Sequence, residues 1–136
     1  MKKRVLFVCV ENSNRSQMAE GFARELGSGV VEAYSAGSRP SGQINAMAVR
    51  AMAEKGIDIS VQQSKGLSDL PQAEWEWVVT MGCGDACPYL PAKNRDDWAL
   101  TDPKALPYDE FCKVRDEIER RVAALIEDCR ASVNLE

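Results

Sequence analysis

Val5-Leu6-Phe7-Val8-Cys9-Val10-Glu11-Asn12-Ser13-Asn14-Arg15-Ser16 is an apolar run that ends on a cysteine and gives way to a short polar loop. The next residues, Gln17 to Leu26, have helical spacing: Met18, Ala19, Phe22, Ala23 and Leu26 share one face, and Gly27 is placed to end the helix. Cys9 is therefore expected where a buried strand turns into a helix. The first turn of a helix carries backbone N–H groups without intrahelical partners and the positive end of the helix dipole, which together hold tetrahedral oxyanions. Arg15, six residues after Cys9, can curl back and offer a planar, two-pronged donor to two anion oxygens. The same field favours thiolate over thiol, and the Ser16 hydroxyl is close enough in sequence to donate to the sulfur. A cysteine closing a strand is often only a small core residue. Here the strand before it, the helix after it and the adjacent serine favour a nucleophile inside its own anion cradle, formed by Val10, Glu11, Asn12, Ser13, Asn14, Arg15 and Ser16.

Outward from this stretch, Val30 to Ala36 reads as a second strand closing at Gly37, so strand, helix and strand form a parallel crossover unit. Ile44 to Lys55 returns to helical spacing before Gly56, and Val61 to Gln72 reads as a loop with a short helix. Trp75 to Met81 is the third strand and runs into Gly82-Cys83-Gly84-Asp85-Ala86-Cys87-Pro88. Tyr89 to Asp97 reads as a long loop, Trp98-Ala99-Leu100 as a short fourth strand, and Tyr108 to Asp128 as an amphipathic helix striped by Phe111, Val114, Ile118, Val122, Leu125 and Cys129. This alternation predicts an α/β fold, three layers α/β/α around a parallel sheet. Ligands of such sheets sit outside the carboxyl ends of the strands. Cys9, Cys83 and Asp102 all follow predicted strands and are expected to gather at that edge.

At 136 residues the chain fits one domain, assigned to residues 1–134, with Leu135-Glu136 read as a cloning remnant. Met1-Lys2-Lys3-Arg4 resembles the charged region of a signal peptide, but the apolar run behind it is only about five residues long, and a cytoplasmic protein is expected. A net charge of −4 argues against nucleic acid or an anionic membrane as partner. The absence of histidine removes Ser-His-Asp and Cys-His catalysis and the commonest metal ligand. Five cysteines, an odd number, fit reduced thiols better than a disulfide framework. Cys83 and Cys87 have half the spacing pattern of a zinc site without a second ligand pair, and no metal is expected.

The motifs together then become specific. Asn12-Ser13-x-Arg15-Ser16-Gln17-Met18-Ala19-Glu20, Ser35-Ala36-Gly37, Gly56-Ile57-Asp58-Ile59-Ser60, Val79 to Pro88, Trp98-x-Leu100-x-Asp102-Pro103 and Phe111-x-x-Val114-Arg115-Asp116-Glu117-Ile118 resemble thioredoxin-type arsenate reductases built on the low-molecular-weight protein tyrosine phosphatase fold, over nearly the whole chain. The resemblance implies a central four-stranded parallel sheet and a single monomeric domain. It implies that arsenate, with phosphate or sulfate as mimics, is attacked by Cys9 while Asp102 acts as general acid. Cys83 then attacks Cys9, arsenite leaves, and Cys87 passes the oxidation to a Cys83–Cys87 disulfide. No cofactor is tightly bound, and the external reductant is thioredoxin, glutathione with glutaredoxin, or another low-molecular-weight thiol. Asn12 would stabilise the loop. Several positions depart from the pattern: Glu11 puts a negative charge in the anion loop, Asn14 stands where many relatives carry another cysteine, and Cys83 and Cys87 are closer together than expected. Lys65 also replaces an acidic residue that in some relatives holds potassium. Cys112 and Cys129 read as bystanders. The rival readings are a phosphatase working through a cysteinyl phosphate and, further off, a cysteine phosphocarrier module.

Overall fold

The computed structural model describes residues 2–72, 74–82 and 90–135. In chain order these form β1 (Lys3–Cys9), α1 (Arg15–Leu26), β2 (Val31–Gly37), α2 (Ala46–Ala53), a 3-10 turn at Leu67–Asp69, β3 (Trp77–Thr80), β4 (Asn94–Asp97), a 3-10 turn at Pro103–Ala105 and α3 (Tyr108–Leu135). The four strands make one sheet in the order β2-β1-β3-β4, every pair parallel. β1 is central because Val5 to Cys9 is apolar on both faces, as a strand covered from two sides must be.

One face of the sheet meets Val5, Phe7, Val79 and Met81 with α1, α2 and α3 in a single core cluster. α1 lies at the middle of it: every residue from Arg15 to Ala23 is buried, including Gln17 and Glu20. Gly21 permits this approach, since a Cβ there would lie 2.7 Å from Ile59 Cγ2. On the other face, Leu6, Val8, Ala36, Trp75 and Val78 are covered by Leu67, Leu70, Leu90 and Ala92. α2 starts at its Asn45 cap, whose Oδ1 accepts from Met47 N at 2.8 Å, and the chain leaves it at Gly56 with φ +75°.

The fourth strand is a correction to the sequence reading. It is Asn94–Asp97, inside the stretch read as a loop, and not Trp98-Ala99-Leu100. An edge strand pairs on one side only, so it needs no apolar alternation, and all four residues are polar. Side chains fix its register instead: Asp97 Oδ1 accepts from Thr80 Oγ1 at 2.6 Å and Gly82 N at 3.0 Å, and Asp96 accepts from Asp97 N and Trp98 Nε1. Trp98 is buried because its ring packs on Phe7, 5.8 Å between centroids, and not because it belongs to a strand. The last helix also runs further than the predicted Asp128, to Leu135; one residue past the end of the apolar stripe, Arg130 Nη2 donates to Leu26 O at 3.0 Å and fastens it to α1.

Candidate active site

The chain passes from the end of β1 at Cys9 to the start of α1 at Arg15 through residues 10–14, and this loop wraps a cavity of about 250 Å³. Cys9, Val10, Glu11, Ser13, Asn14, Arg15 and Asp102 line it. The loop carbonyls turn outward into protein partners. Val10 O accepts from Arg39 N, Glu11 O from Ser41 N and Ser64 Oγ, Asn12 O from Gln17 Nε2, Ser13 O from Asn45 N and Asn14 O from Met18 N. The N–H ends of the same peptide units point the opposite way, away from those partners, which is the orientation in which a backbone nest takes an anion. Gly37 closes the back of the loop: a Cβ there would stand 2.5 Å from Val10 O.

Cys9 is almost fully buried, and its Sγ lies 2.9 Å from Ser16 Oγ. Asn12 decides which atom donates. Its Nδ2 donates to Ser16 Oγ at 2.7 Å, so the serine's own hydrogen is free to point at the sulfur. Asn12 in turn is held by Gln17 Nε2 at 2.8 Å and Lys65 N at 2.9 Å, both donating to its Oδ1. It is fully buried with φ +51°, a conformation that asparagine tolerates better than most residues.

Arg15 is anchored from behind. Its Nη1 donates to Met81 O at 2.7 Å and Leu100 O at 2.9 Å, and its Nη2 stands 3.9 Å from Asp102 Oδ2. Asp102 is half exposed on the cavity wall, with Oδ1 accepting from Lys104 N at 3.1 Å. Glu11 is neutralised: Lys104 Nζ donates to both of its carboxylate oxygens, at 3.1 and 3.2 Å. Lys65 Nζ lies 3.5 Å from the nearly buried Glu20, which also accepts from Ser35 Oγ at 2.6 Å. An ammonium thus occupies the ground beside the cradle, and among the described residues no group of acidic, cysteine or histidine side chains is arranged to hold a metal.

The structure thus brings together Cys9, Arg15, Asp102 and the loop from Val10 to Ser16. Cys83 and Cys87 lie outside the described residues. The chain enters their segment from Met81, whose carbonyl Arg15 binds, and Gly82, with φ +76°. Cys112 and Cys129 do not line the cavity. Burial, and after it the charge of Glu76, pushes the Cys129 thiol up to about 11. Sequence reasoning missed Lys104, Gln17 and the carbonyls of Met81 and Leu100. Only Lys104 left a trace, a cation two residues after the candidate acid.

A family model described as low molecular weight phosphotyrosine protein phosphatase matches residues 4–135. A glutaredoxin arsenate reductase from Synechocystis sp. is 39% identical over 127 residues, covering 91% of this chain and 96% of its own. A solved arsenate reductase in its phosphate binding state superposes with a TM-score of 0.84 at 38% identity, over 93% of this chain and 98% of that one. A thioredoxin-dependent arsenate reductase from Corynebacterium glutamicum superposes with a TM-score of 0.77 at 32% identity, over 96% of this chain and 63% of that one.

Proposed function

The chain belongs to the low molecular weight phosphotyrosine protein phosphatase family and is an arsenate reductase within it; we propose that it works by cysteine attack followed by a thiol relay. Arsenate sits in the cavity on the loop amides and Arg15, and the Cys9 thiolate attacks arsenic. Asp102 gives its proton to the departing oxygen, which leaves as water. The Cys83 thiolate then attacks Cys9 Sγ. The S–As bond breaks with its electron pair moving to arsenic, so As(V) becomes As(III), arsenite leaves, and the two sulfurs are oxidised to a Cys9–Cys83 disulfide. Cys87 attacks Cys83, returns Cys9 to its thiolate and leaves a Cys83–Cys87 disulfide. An external dithiol of the thioredoxin or glutaredoxin kind reduces it, each step being thiolate exchange. The protein acts as a monomer in the cytoplasm, where such reductants keep thiols reduced.

The observation that carries this reading is Cys9 Sγ, with the Ser16 hydroxyl directed at it, at the bottom of a cavity whose wall holds Arg15 and Asp102. Its test is mass spectrometry of the disulfides after one arsenate turnover, with para-nitrophenyl phosphate hydrolysis measured in parallel. Arsenate is expected to produce a Cys83–Cys87 disulfide, and Cys83→Ser to abolish arsenate turnover while sparing any phosphoester hydrolysis. Equal loss of both activities would count against the relay. The phosphatase reading draws on the same cavity and the family description; it is favoured if phosphoester hydrolysis far exceeds arsenate turnover.

A further inference from the structure

We propose that Glu11 is a positioning residue for Asp102, acting through Lys104. The proposal rests on the reading of Asp102 as the general acid. A carboxylate in a loop built to receive an anion opposes its ligand unless something neutralises it. Glu11 meets that condition through one side chain, which reaches it from ninety-three positions along the chain. Lys104 grips two things at once. Its backbone N–H donates to Asp102 Oδ1 at 3.1 Å, and its Nζ donates to both oxygens of Glu11 at 3.1 and 3.2 Å.

The other oxygen of Asp102 stands 3.9 Å from Arg15 Nη2, too far for a hydrogen bond. The short turn Pro103–Ala105 is seated by the buried Pro103, and Leu100 just before it is tied to Arg15. The residue that orients the carboxyl within that seat is Lys104, and Glu11, a residue of the cradle itself, holds Lys104. Glu11 thereby couples the two halves of the site: the loop that binds the anion sets the direction from which the acid approaches it. The pair is partly exposed, with side-chain accessibilities of 60% for Lys104 and 36% for Glu11, so its effect is modest, roughly two- to fivefold in turnover.

The test is steady-state arsenate reduction by Glu11→Gln, Lys104→Met and the double variant, each built with Asp102 and with Asp102→Asn. With Asp102 present, each single variant is expected to lower kcat roughly two- to fivefold, the double variant to lose no more than either, and KM for arsenate not to rise. With Asp102→Asn, neither substitution is expected to lower kcat further; with Asp102 in place, the reversed pair Glu11→Lys with Lys104→Glu is expected to recover most of the turnover. Additive losses, a rise in KM alone, or undiminished losses beside Asp102→Asn would overturn the positioning role while leaving the acid in place. Asp102→Asn with wild-type kcat would remove the acid itself, and the positioning role with it.

Discussion

Replacing Asn12 by alanine tests the idea that one buried amide both holds the cradle and aims the Ser16 hydroxyl. Three side-chain hydrogen bonds disappear, to Ser16 Oγ, Gln17 Nε2 and Lys65 N. Gln17 keeps its bonds to the carbonyls of Asn12 and Gln63, so its loss is small. Lys65 N has no such reserve, and an unsatisfied, part-buried donor costs about 1–3 kcal/mol, with about 1 kcal/mol more for the bond to Ser16. At φ +51°, alanine also meets a left-handed penalty of about 1–2 kcal/mol that asparagine partly escapes. The sum is about 3–6 kcal/mol, read by urea unfolding. Asn12→Gly removes the left-handed penalty at an entropic cost of about 0.5–1 kcal/mol, so it should be more stable than the alanine variant. Neither variant restores the donor to Ser16. Both are expected to slow single-turnover arsenate-dependent thiol loss roughly tenfold, equivalent to about 1.4 kcal/mol of barrier. The reasoning fails if Asn12→Ala loses less than about 1 kcal/mol, or if Asn12→Gly regains wild-type turnover.

Arg15→Lys supplies a charge without the fork and abandons the carbonyls of Met81 and Leu100; kcat/KM for arsenate is expected to fall by roughly a hundredfold or more, and a variant retaining a tenth of the wild-type value would contradict the anchoring. Gly37→Ala drives a methyl to 2.5 Å from Val10 O and 3.0 Å from Asn12 N, so a loss of about 1–3 kcal/mol is expected, together with weaker phosphate inhibition, both absent if the loop simply yields. Cys129, held up at about 11 by burial, should be the slowest described thiol to react with iodoacetamide in the native protein at pH 8. Because its folded value lies above its ordinary 9.0, the stability it contributes is complete below pH 9 and lost as pH rises through about 11. Cys129→Ala should therefore flatten the alkaline arm of the unfolding curve, and an unchanged arm would refute the assignment.

The nucleophile and its cradle were legible because their cause is local: an apolar strand, a cysteine, five loop residues and a helix follow one another without interruption. The central strands showed for the same reason, since a strand covered on both faces must be continuously apolar. β4 did not, because its four polar residues are placed by the neighbouring strand and by Thr80 and Gly82, not by their own pattern. The neutralisation of Glu11 was illegible in principle: the sequence showed that the charge needed an answer, but the answering lysine lies far along the chain and meets it only once the sheet is assembled. The end of α3 was missed because the apolar stripe ends at Cys129, while a bond from Arg130 to the end of α1 secures the helix beyond it.

The outermost strand carries a last consequence. In β4 the amide of Asp97, free of the ladder to β3, is taken by the carboxylate of its own neighbour Asp96, whose second oxygen receives the indole of Trp98. A rim finished in this way offers an approaching polypeptide an occupied donor and a row of charge where a bare strand would recruit it. This finish weakens the recruitment of a second strand at that rim, and Asp96→Val is expected to strengthen it.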